Sequence, residues 1–415
     1  MIARPSQLRV IACHPGRQYS HQLALALAEE NLLAKYLTGV PTHPQAGGRL
    51  GHLLLAKWSN SYAITLDPAL VEHSFVSPLV RRLGSCLHSP RMAVDLAHRG
   101  DRLFDRWAAR RVERLRPDIV VAYENSALHT FRAAKTIGAT TVLDAASFHH
   151  GWQDRFLPPE TFARALDRIN RAKDAEIELA DHIITVSEFA RQSYLEAGIA
   201  ADRVTAIPLG VDTDLFRYEA SKSASREAKV NFAFVGQLSN RKGIDVLLAA
   251  ARILTNRGVD FTLTLFGNSS QAYPLDDLKN CKIRGWLGHR ELATQLAQYD
   301  VLVLPSRHDS FGMVVAEAMA CGLPAIVSDC VGAKEMISPA VNGLVVPAGN
   351  VDALSQAMFW LVQNKEMLVS MSYAARSTAE QYGWAFYRRR IIELISQINS
   401  VIAKSPTITE SRRSR

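Results

Sequence analysis

The sequence predicts an α/β protein built from two doubly wound, mostly parallel sheets. Short apolar runs rich in β-branched residues alternate with segments of helical spacing, as in strands joined by crossover helices. The chain has 415 residues, too many for a single hydrophobic core. A polar, serine-rich stretch at residues 216–229 divides the alternation into two halves. We therefore expect two units of the same type that face each other across a cleft.

The first half begins with a short strand that ends in His14-Pro15-Gly16. Residues 40–75 are ambiguous, with weak strand signals at residues 63–66 only. Two later strands, IVVAYEN and TVLDAAS, end in polar residues. The predicted strands are residues 9–13, 119–125, 141–147 and 182–187, and the predicted helices are residues 22–32, 81–116, 126–137, 160–179 and 188–197.

The second half repeats the alternation more clearly, and a break at Tyr382-Gly383 precedes the last helix. The polar end of the chain, SPTITESRRSR, is expected to be disordered. The predicted strands are residues 232–235, 261–266, 282–285, 301–304, 325–328 and 344–346, and the predicted helices are residues 244–256, 291–299, 311–320, 351–364 and 384–401.

Composition points to an ordinary soluble globular protein, with 48% hydrophobic and 21% charged residues. No window approaches 18 unbroken apolar residues, so we expect no transmembrane helix, and the N-terminus lacks the pattern of a signal peptide. Five cysteines occur at no metal-binding or redox spacing, which favours free thiols and a cytoplasmic location.

Positive charge is concentrated in one segment. Between Arg81 and Arg116 the chain carries ten arginines against four acids, mixed with Leu, Met, Phe and Trp at helical spacing. One interpretation is a solvated helix face. A second is a basic amphipathic surface in peripheral contact with an anionic membrane, on the inner face of the cell membrane. Nucleic acid is a third partner, but no aromatic-rich basic sheet or recognition helix accompanies the segment, so we expect none.

The stretch VLVLPSRHDSFGMVVAEAMACGLP, residues 301–324, organises the second half. An apolar strand stops at Pro305, and Asp309 and Ser310 are placed to cap the helix predicted at residues 311–320. Gly322 suits the left-handed position after that helix. In open α/β sheets ligands bind where a strand's carboxyl end meets a helix N-terminus, and Gly312 would let a phosphate approach there.

Three charged residues are candidates for ligand contacts. Asp309 and Glu317 are eight residues apart, so they could grip different parts of an extended ligand, and carboxylates accept paired sugar hydroxyls. Lys242 follows the turn at Gly236, where an ammonium and backbone amides could approach a phosphate. Each residue also has an alternative interpretation. Asp309 would be a plain N-cap, Glu317 a partner in a structural ion pair, and Lys242 a solvated lysine.

Residues 230–350 resemble the donor-binding domain of glycosyltransferase family 4, the retaining enzymes with the GT-B fold. The segments that carry the resemblance are FVGQLSNRKGIDVLL, RGWLGHREL, DVLVLPSRHDSFGMVVAEAMACGLPAIVSD, VGAKEMI and NGLVVPAG, in the family's order. Upstream, ITVSEFARQSYLEAG and VTAIPLGVDTDLF are also similar to it. The resemblance implies an acceptor-binding domain at residues 1–205 and a donor-binding domain at residues 206–383. It also implies a helix at residues 384–403 that returns to the first domain, before a disordered tail at residues 404–415.

The resemblance also implies roles for individual residues toward a nucleotide-diphosphate sugar. Asp309 takes the first position of the family's E-x7-E motif, facing the donor sugar, although Glu is usual there. Glu317 would hold the ribose diol, and Lys242 would neutralise the leaving diphosphate. Gln237 stands where the family often has Arg, and Arg241 is a candidate to compensate. The other implied donor contacts are the backbones of Phe311, Gly312 and Met313, the turn at Gly236, the base-facing pair Trp286 and Leu287, and Gly16 in the first domain.

His149 of LDAASFHHGW stands where related sequences place an active-site histidine, with His150 as the alternative. Together these residues imply retaining transfer of a hexosyl group to a glycan or lipid-linked acceptor, in cell-surface polysaccharide or lipopolysaccharide synthesis. The sequence has no Asp-x-Asp motif or histidine cluster near the site, so we expect no metal or other cofactor. A nucleotide-sugar epimerase or hydrolase, and a catalytically silent subunit of a glycan-assembly complex, are the alternatives.

Overall fold

A computed structural model describes residues 8–16, 18–42, 65–85, 90–156, 163–218, 229–269, 273, 275 and 278–404. The chain divides into two compact units. Unit 1 comprises Met1–Thr185, Arg191–Ile207 and Arg388–Arg415, and unit 2 comprises Val186–Ala190 and Pro208–Tyr387. The chain passes from unit 1 into the main part of unit 2 after Ile207. This position lies close to the domain boundary expected between residues 205 and 206. Of the tail predicted to be disordered, residues 404–415, Lys404 is the last residue of the final helix and residues 405–415 lie outside the described residues.

Unit 1 is built on a seven-stranded, wholly parallel sheet of order β3-β2-β1-β4-β5-β6-β7. Its buried strands and the helices on them share one apolar core. The strands are β1 (Val10–His14), β2 (Leu33–Thr38), β3 (Val71–His73), β4 (Ile119–Tyr123), β5 (Thr140–Ala145), β6 (His182–Thr185) and β7 (Val204–Ala206). The helices in its first segment, which ends at Thr185, are α1 (Ser20–Glu29), α2 (Val76–Ser85), α3 (Pro90–Leu115), α4 (Leu128–Thr136), α5 (His150–Gln153) and α6 (Ala163–Leu179).

Unit 2 is built on a six-stranded parallel sheet of order β10-β9-β8-β11-β12-β13. Its strands are β8 (Val230–Val235), β9 (Phe261–Phe266), β10 (Cys281–Arg284), β11 (Val301–Leu304), β12 (Ala325–Ser328) and β13 (Gly343–Val346). The remaining helices are α7 (Glu188–Glu196), α8 (Ile244–Asn256), α9 (His289–Leu296), α10 (Met313–Ala320), α11 (Val351–Gln363), α12 (Leu368–Gln381) and α13 (Trp384–Lys404).

The predicted fold class is confirmed, because both sheets are parallel and alternate with helices. Five elements were not predicted: β2, β3, β7, α5 and α12. The single helix predicted at residues 81–116 corresponds to the end of α2 and to α3. Helix α1 was predicted to run to residue 32 but ends at Glu29, since Asn31 takes the left-handed conformation, φ +57°, and leads directly into β2. Asparagine tolerates that conformation better than most residues.

The last helix, α13, belongs to unit 1 from Arg388 onward. There the Arg388 guanidinium forms an ion pair with Glu29 of α1 at 3.0 Å and donates to the Gln22 side-chain oxygen at 2.8 Å. Among the residues described above, no helix combines the length and the apolar character needed to cross a bilayer.

Candidate functional site

The carboxyl ends of β8 and β11 lie side by side in unit 2, because these two strands are paired in register Val301 to Phe232 and Leu302 to Ala233. The loops that leave the two strands are residues 236–243 and 305–312. Most of the residues predicted to bind a donor are on these loops or on the helix that follows the second one. The sheet order therefore brings together positions that are far apart along the chain.

The start of α10 differs from the predicted one. The helix begins at Met313, and its N-cap is Gly312 in the left-handed conformation, φ +89°. A Cβ atom on Gly312 would also lie 2.9 Å from Val331 Cγ1, so glycine is required by conformation and by space. The prediction that Asp309 and Ser310 cap this helix was wrong: there is no side-chain cap, and the Asp309 carboxylate is engaged elsewhere. Gly322, φ +79°, takes the predicted left-handed position after the helix.

The backbone amides of Phe311, Gly312 and Met313 point to an anion site. None of them donates a hydrogen bond to another atom within the described part of the chain. A helix N-terminus also carries partial positive charge. These three amides therefore remain available to an anionic ligand group, as the sequence predicts for a diphosphate.

Lys242 and Asp309 form an ion pair whose side chains are only 15% and 13% exposed. The loop after β8 ends in a short 3₁₀ turn, Asn240–Lys242, followed by Gly243 with φ +71°. A Cβ on Gly243 would overlap the carbonyl oxygen of Pro305, so the two loops are in backbone contact. This contact fixes the lysine beside the aspartate.

The other charged residues of these loops serve mainly to hold them together. Arg241 donates to the His308 carbonyl oxygen at 3.5 Å, and Arg307 makes a two-pronged ion pair with Asp245 at 2.6 and 2.7 Å. The pKa of the His308 imidazole is lowered to about 4, mainly by burial and then by the Arg241 charge, so this ring is neutral at pH 7. Sequence analysis did not identify Arg307 or His308.

Glu317 is buried in α10, and burial raises the pKa of its carboxyl group to about 7. Among the described residues, the His289 ring lies close to this carboxyl group, with Nε2 3.9 Å from Glu317 Oε1. A carboxylate in this position lacks strong internal partners, so it is suited to accept hydrogen bonds from ligand hydroxyls. His289 was missed by sequence analysis, although its position after Gly288, at the start of α9, is visible in the sequence.

His289 also lines a pocket of about 590 Å³ at the carboxyl ends of β8 and β9. Four residues predicted from the sequence line the same pocket: Gly236, Gln237, Trp286 and Leu287. Trp286 is highly exposed, 72%, and its backbone amide donates to Asn268 Oδ1 at 3.4 Å. The pocket has room for a planar group beside the indole, and donor binding by these residues remains a prediction.

The two predicted residues of unit 1 lie at the carboxyl ends of its strands. Gly16 follows β1; its amide donates to His14 Nδ1 at 2.8 Å, and its carbonyl accepts from Thr38 Oγ1 at 2.9 Å. A Cβ at Gly16 would meet the His14 ring at an ordinary 3.4 Å, so packing within the unit does not require glycine here.

His149 follows β5 and caps α5, with Nδ1 accepting from the Gly151 amide at 3.2 Å. Burial, followed by the neighbouring His150, lowers the pKa of His149 to about 4, which keeps the ring neutral at pH 7. His150 Nε2 lies 3.1 Å from Asp174 Oδ1. One ligand atom from each of His149, His150 and Asp174 fits within a 4.8 Å cluster, which is compact enough for a metal ion. The sequence did not reveal this grouping, and the expected absence of a metal remains a prediction.

Two further acids lie at the carboxyl edge of unit 1 and were not proposed from the sequence. Asp144 is buried at the end of β5 and accepts from the Tyr19 hydroxyl at 2.9 Å, and burial raises its pKa to about 7. Glu124, directly after β4, accepts from Ser147 Oγ at 2.7 Å. The polar residues that end these two predicted strands were the available signal.

Two family models match consecutive parts of the chain. The model described as Glycosyltransferase Family 4 matches residues 65–215, and that described as Glycosyl transferases group 1 matches residues 217–378. The amylovoran biosynthesis glycosyltransferase AmsK of Erwinia amylovora is 26% identical over 230 residues, 52% of this chain and 56% of that protein. A GDP-mannose-dependent monoacylated alpha-(1-6)-phosphatidylinositol monomannoside mannosyltransferase of Corynebacterium glutamicum is 27% identical over 285 residues, 63% and 71% of the two chains.

The chain spans about half the length of several relatives that it matches. Among solved structures, a sucrose-phosphate synthase from Thermosynechococcus elongatus superimposes with a TM-score of 0.71 at 19% identity, covering 95% of this chain and 100% of the other. That likeness concerns the fold. Taken with the two adjoining family matches and the two parallel sheets, it shows that the chain belongs to glycosyltransferase family 4 and has the GT-B fold.

Proposed function

We propose that the protein is a retaining glycosyltransferase that moves a hexosyl group from a nucleotide-diphosphate sugar to a glycan or lipid-linked acceptor. One observation carries the proposal. Around the ends of two adjacent strands, unit 2 gathers a cation, Lys242, three backbone amides that are available to an anion, and the buried acceptor Glu317. These groups match the needs of a diphosphate and a ribose diol.

The difficult step is cleavage of the bond between the anomeric carbon and the diphosphate oxygen. Negative charge grows on the diphosphate as the sugar becomes oxocarbenium-like, so donors fixed before the reaction lower the barrier. We assign this role to Lys242 and to the N-terminus of α10, and we assign the contacts to the sugar hydroxyls to Asp309. Since Lys242 and Asp309 are paired with each other, the donor must insert its phosphate and sugar between or beside them.

Retention follows if the acceptor hydroxyl attacks from the face that the diphosphate leaves. The diphosphate can then accept the hydroxyl proton, so the proposal needs no dedicated general base. A neutral His149 is suited to hydrogen-bond a sugar hydroxyl rather than to pair with phosphate. We infer that the reaction needs no metal ion, because the amides and the lysine already supply positive charge at the leaving group.

The relatives favour acceptors of two kinds. AmsK is described as an enzyme of amylovoran biosynthesis, and the Corynebacterium glutamicum relative as acting on a phosphatidylinositol mannoside with GDP-mannose. Their names favour a polysaccharide or glycolipid pathway for this chain.

A panel of UDP-, GDP- and ADP-sugars, with release of free nucleotide as the measurement, tests the proposal. Transfer predicts release that rises when an acceptor extract is added, whereas a hydrolase releases nucleotide without an acceptor and an epimerase changes the sugar while it stays attached. A silent subunit gives neither reaction. Glu317→Ala should abolish release and Glu291→Ala, on the exposed side of α9, should not; normal release by Glu317→Ala would contradict the site.

A further inference from the structure

The exposed apolar side chains of this protein are concentrated on one helical hairpin. Twelve large hydrophobic residues are exposed among those whose side chains the structure describes, and half of them lie in α2 and α3. Their exposures range from 39% to 66%. The six are Val76, Leu79, Leu83, Met92, Val94 and Leu103. Such a cluster indicates a contact with something other than water, because single exposed apolar residues are ordinarily scattered.

The exposed residues form stripes rather than a random scatter. In α2, Val76, Leu79 and Leu83 are three and four residues apart and therefore share one helix face. Ser77, on the other face, is fully buried and donates from Oγ to Asp101 Oδ1 of α3 at 3.0 Å. This bond and the close approach of Gly100 to the Ser77 backbone hold the two helices side by side, with the stripe outward.

In α3 a second outward stripe changes from apolar to cationic along the helix. Met92, Arg99, Leu103, Arg106 and Arg110 follow one another at spacings of seven, four, three and four residues, which keeps them on one face. The stripe is roughly 27 Å long at 1.5 Å per residue. The opposite face, with Phe104, Ala108 and Val112, is part of the core of unit 1.

The outer surface is more basic than the composition of α3 suggests. Asp101 is buried against Ser77. The Asp105 carboxylate is also buried, and it accepts from the backbone amides of His129 and Thr130 at 2.7 and 2.8 Å. Asp95 is paired with Arg99 and Arg168 at 2.9 and 2.8 Å. Three of the four acids of this helix therefore do not offset the arginines that follow Leu103.

Several arginines of α3 and α4 have no carboxylate partner among the residues that the structure describes. Arg111 and Arg114 share Glu72, but among the described residues no ion pair involves Arg102, Arg110 or Arg132. Among those residues, Arg106 donates to His129 Nε2 at 3.5 Å and forms no ion pair. A groove of about 320 Å³ runs between α3 and α4, and it is lined by Arg106, Arg110, Arg132, His129, one acid, Glu113, and the small side chains Ala109, Ala133 and Thr136.

We propose that the outer face of α2 and α3 binds an anionic phospholipid bilayer. The apolar stripes would enter the boundary between headgroups and acyl chains, and the arginines at the groove would contact lipid phosphates. The combination of apolar stripes and arginines favours a bilayer over the other possible partners. A nucleic acid would use the arginines but leave Leu79 and Leu83 in water, and a second copy of the chain seated about a two-fold axis would bring uncompensated arginines together.

Co-sedimentation of the full-length protein with vesicles tests the proposal and needs neither donor nor acceptor, so the result is independent of the proposed transfer. At low salt the protein should sediment with vesicles of phosphatidylcholine mixed with phosphatidylglycerol, and much less with phosphatidylcholine alone. Arg106→Ala with Arg110→Ala should weaken binding about thirty-fold, from a contribution of about 1 kcal/mol per arginine. Leu79→Ser with Leu83→Ser should weaken it at least about ten-fold.

Matched controls come from other surfaces. Arg257→Ala with Arg389→Ala removes two exposed arginines, and Val345→Ser with Val401→Ser removes two exposed apolar side chains; both double variants should bind as the unaltered protein does. Unchanged circular dichroism would show that each variant is folded. The proposal is overturned if neither vesicle type sediments the protein, or if the controls weaken binding as much as the test variants. It is also overturned if Leu79→Ser with Leu83→Ser instead converts a dimer into a monomer in sedimentation velocity.

Discussion

Replacing Glu317 by glutamine should stabilise the protein while it weakens donor binding. The carboxyl group is buried, and its pKa is raised from 4.5 to about 7 because burial disfavours the ionised form. Below pH 4.5 the group is protonated in the folded and the unfolded chain, so it costs nothing. As the pH rises to 7, ionisation in the unfolded chain increasingly favours unfolding, and above pH 7 the penalty is constant.

The size of the penalty follows from the shift. A rise of about 2.5 units at about 1.4 kcal/mol per unit corresponds to about 3 kcal/mol. Glu317→Gln removes an ionisable group and keeps its shape, so the variant and the unaltered protein should differ little at pH 5. At pH 8 the variant should have a free energy of unfolding higher by about 3 kcal/mol. For a folding unit of this size, such a gain in the free energy of unfolding would raise the melting temperature by several degrees.

Urea unfolding at pH 5 and pH 8, followed by near-ultraviolet circular dichroism, measures the difference. Glu291→Gln, on the exposed side of α9, is the matched control and should change stability at neither pH. Binding of the preferred nucleotide should weaken about ten- to hundred-fold in Glu317→Gln, since hydrogen bonds to a charged acceptor contribute about 1.5 to 3 kcal/mol. Equal stability of the variant and the unaltered protein at pH 8 would refute the reasoning about burial, and unchanged nucleotide binding would remove Glu317 from the donor site.

Three further expectations concern the same unit. Lys242→Ala should lower kcat by about 10²- to 10³-fold, because that is the usual cost of removing one group that stabilises a developing anion. Lys279→Ala is the control, and equal rates for the two variants would contradict the role of Lys242. Gly243→Ala should lower the free energy of unfolding well beyond the effect of Gly258→Ala, because both have a left-handed backbone but only Gly243 contacts Pro305; equal losses would show that the contact contributes nothing. Turnover should survive EDTA, and a complete loss that magnesium restores would overturn the metal-free mechanism.

The sequence predicted the fold class because alternation of apolar strands and helices is a local property with few topological solutions. Prediction from the sequence failed between α1 and β2, where Asn31 makes the turn without a glycine or proline to mark it. It also failed at α12, which follows another helix after a short 3₁₀ turn. The short β3 gives a pattern of three residues, too few to show a period of two.

The candidate site was predictable as a set of positions but not as a set of contacts. Glycine and proline marked both loops of unit 2, and the family resemblance selected the residues on them. The pairing of Lys242 with Asp309 depends on β8 and β11 being neighbours in the sheet, which spacing along the chain does not reveal. For the same reason the prediction that Asp309 caps a helix was wrong. Residue preferences near a helix start favour aspartate as a cap, but Asp309 instead pairs with Lys242, 67 positions away in the sequence.

Two features of the unit 2 site cost the folded protein free energy. Burial makes ionisation of Glu317 unfavourable, and the amides of Phe311, Gly312 and Met313 have no acceptor among the described residues. A nucleotide-diphosphate sugar would relieve both costs at once, since its ribose hydroxyls donate to Glu317 and its phosphates accept from the amides. The same buried carboxylate therefore lowers the stability of the fold and contributes to donor affinity. For this reason Glu317→Gln is expected to raise the free energy of unfolding and to weaken donor binding.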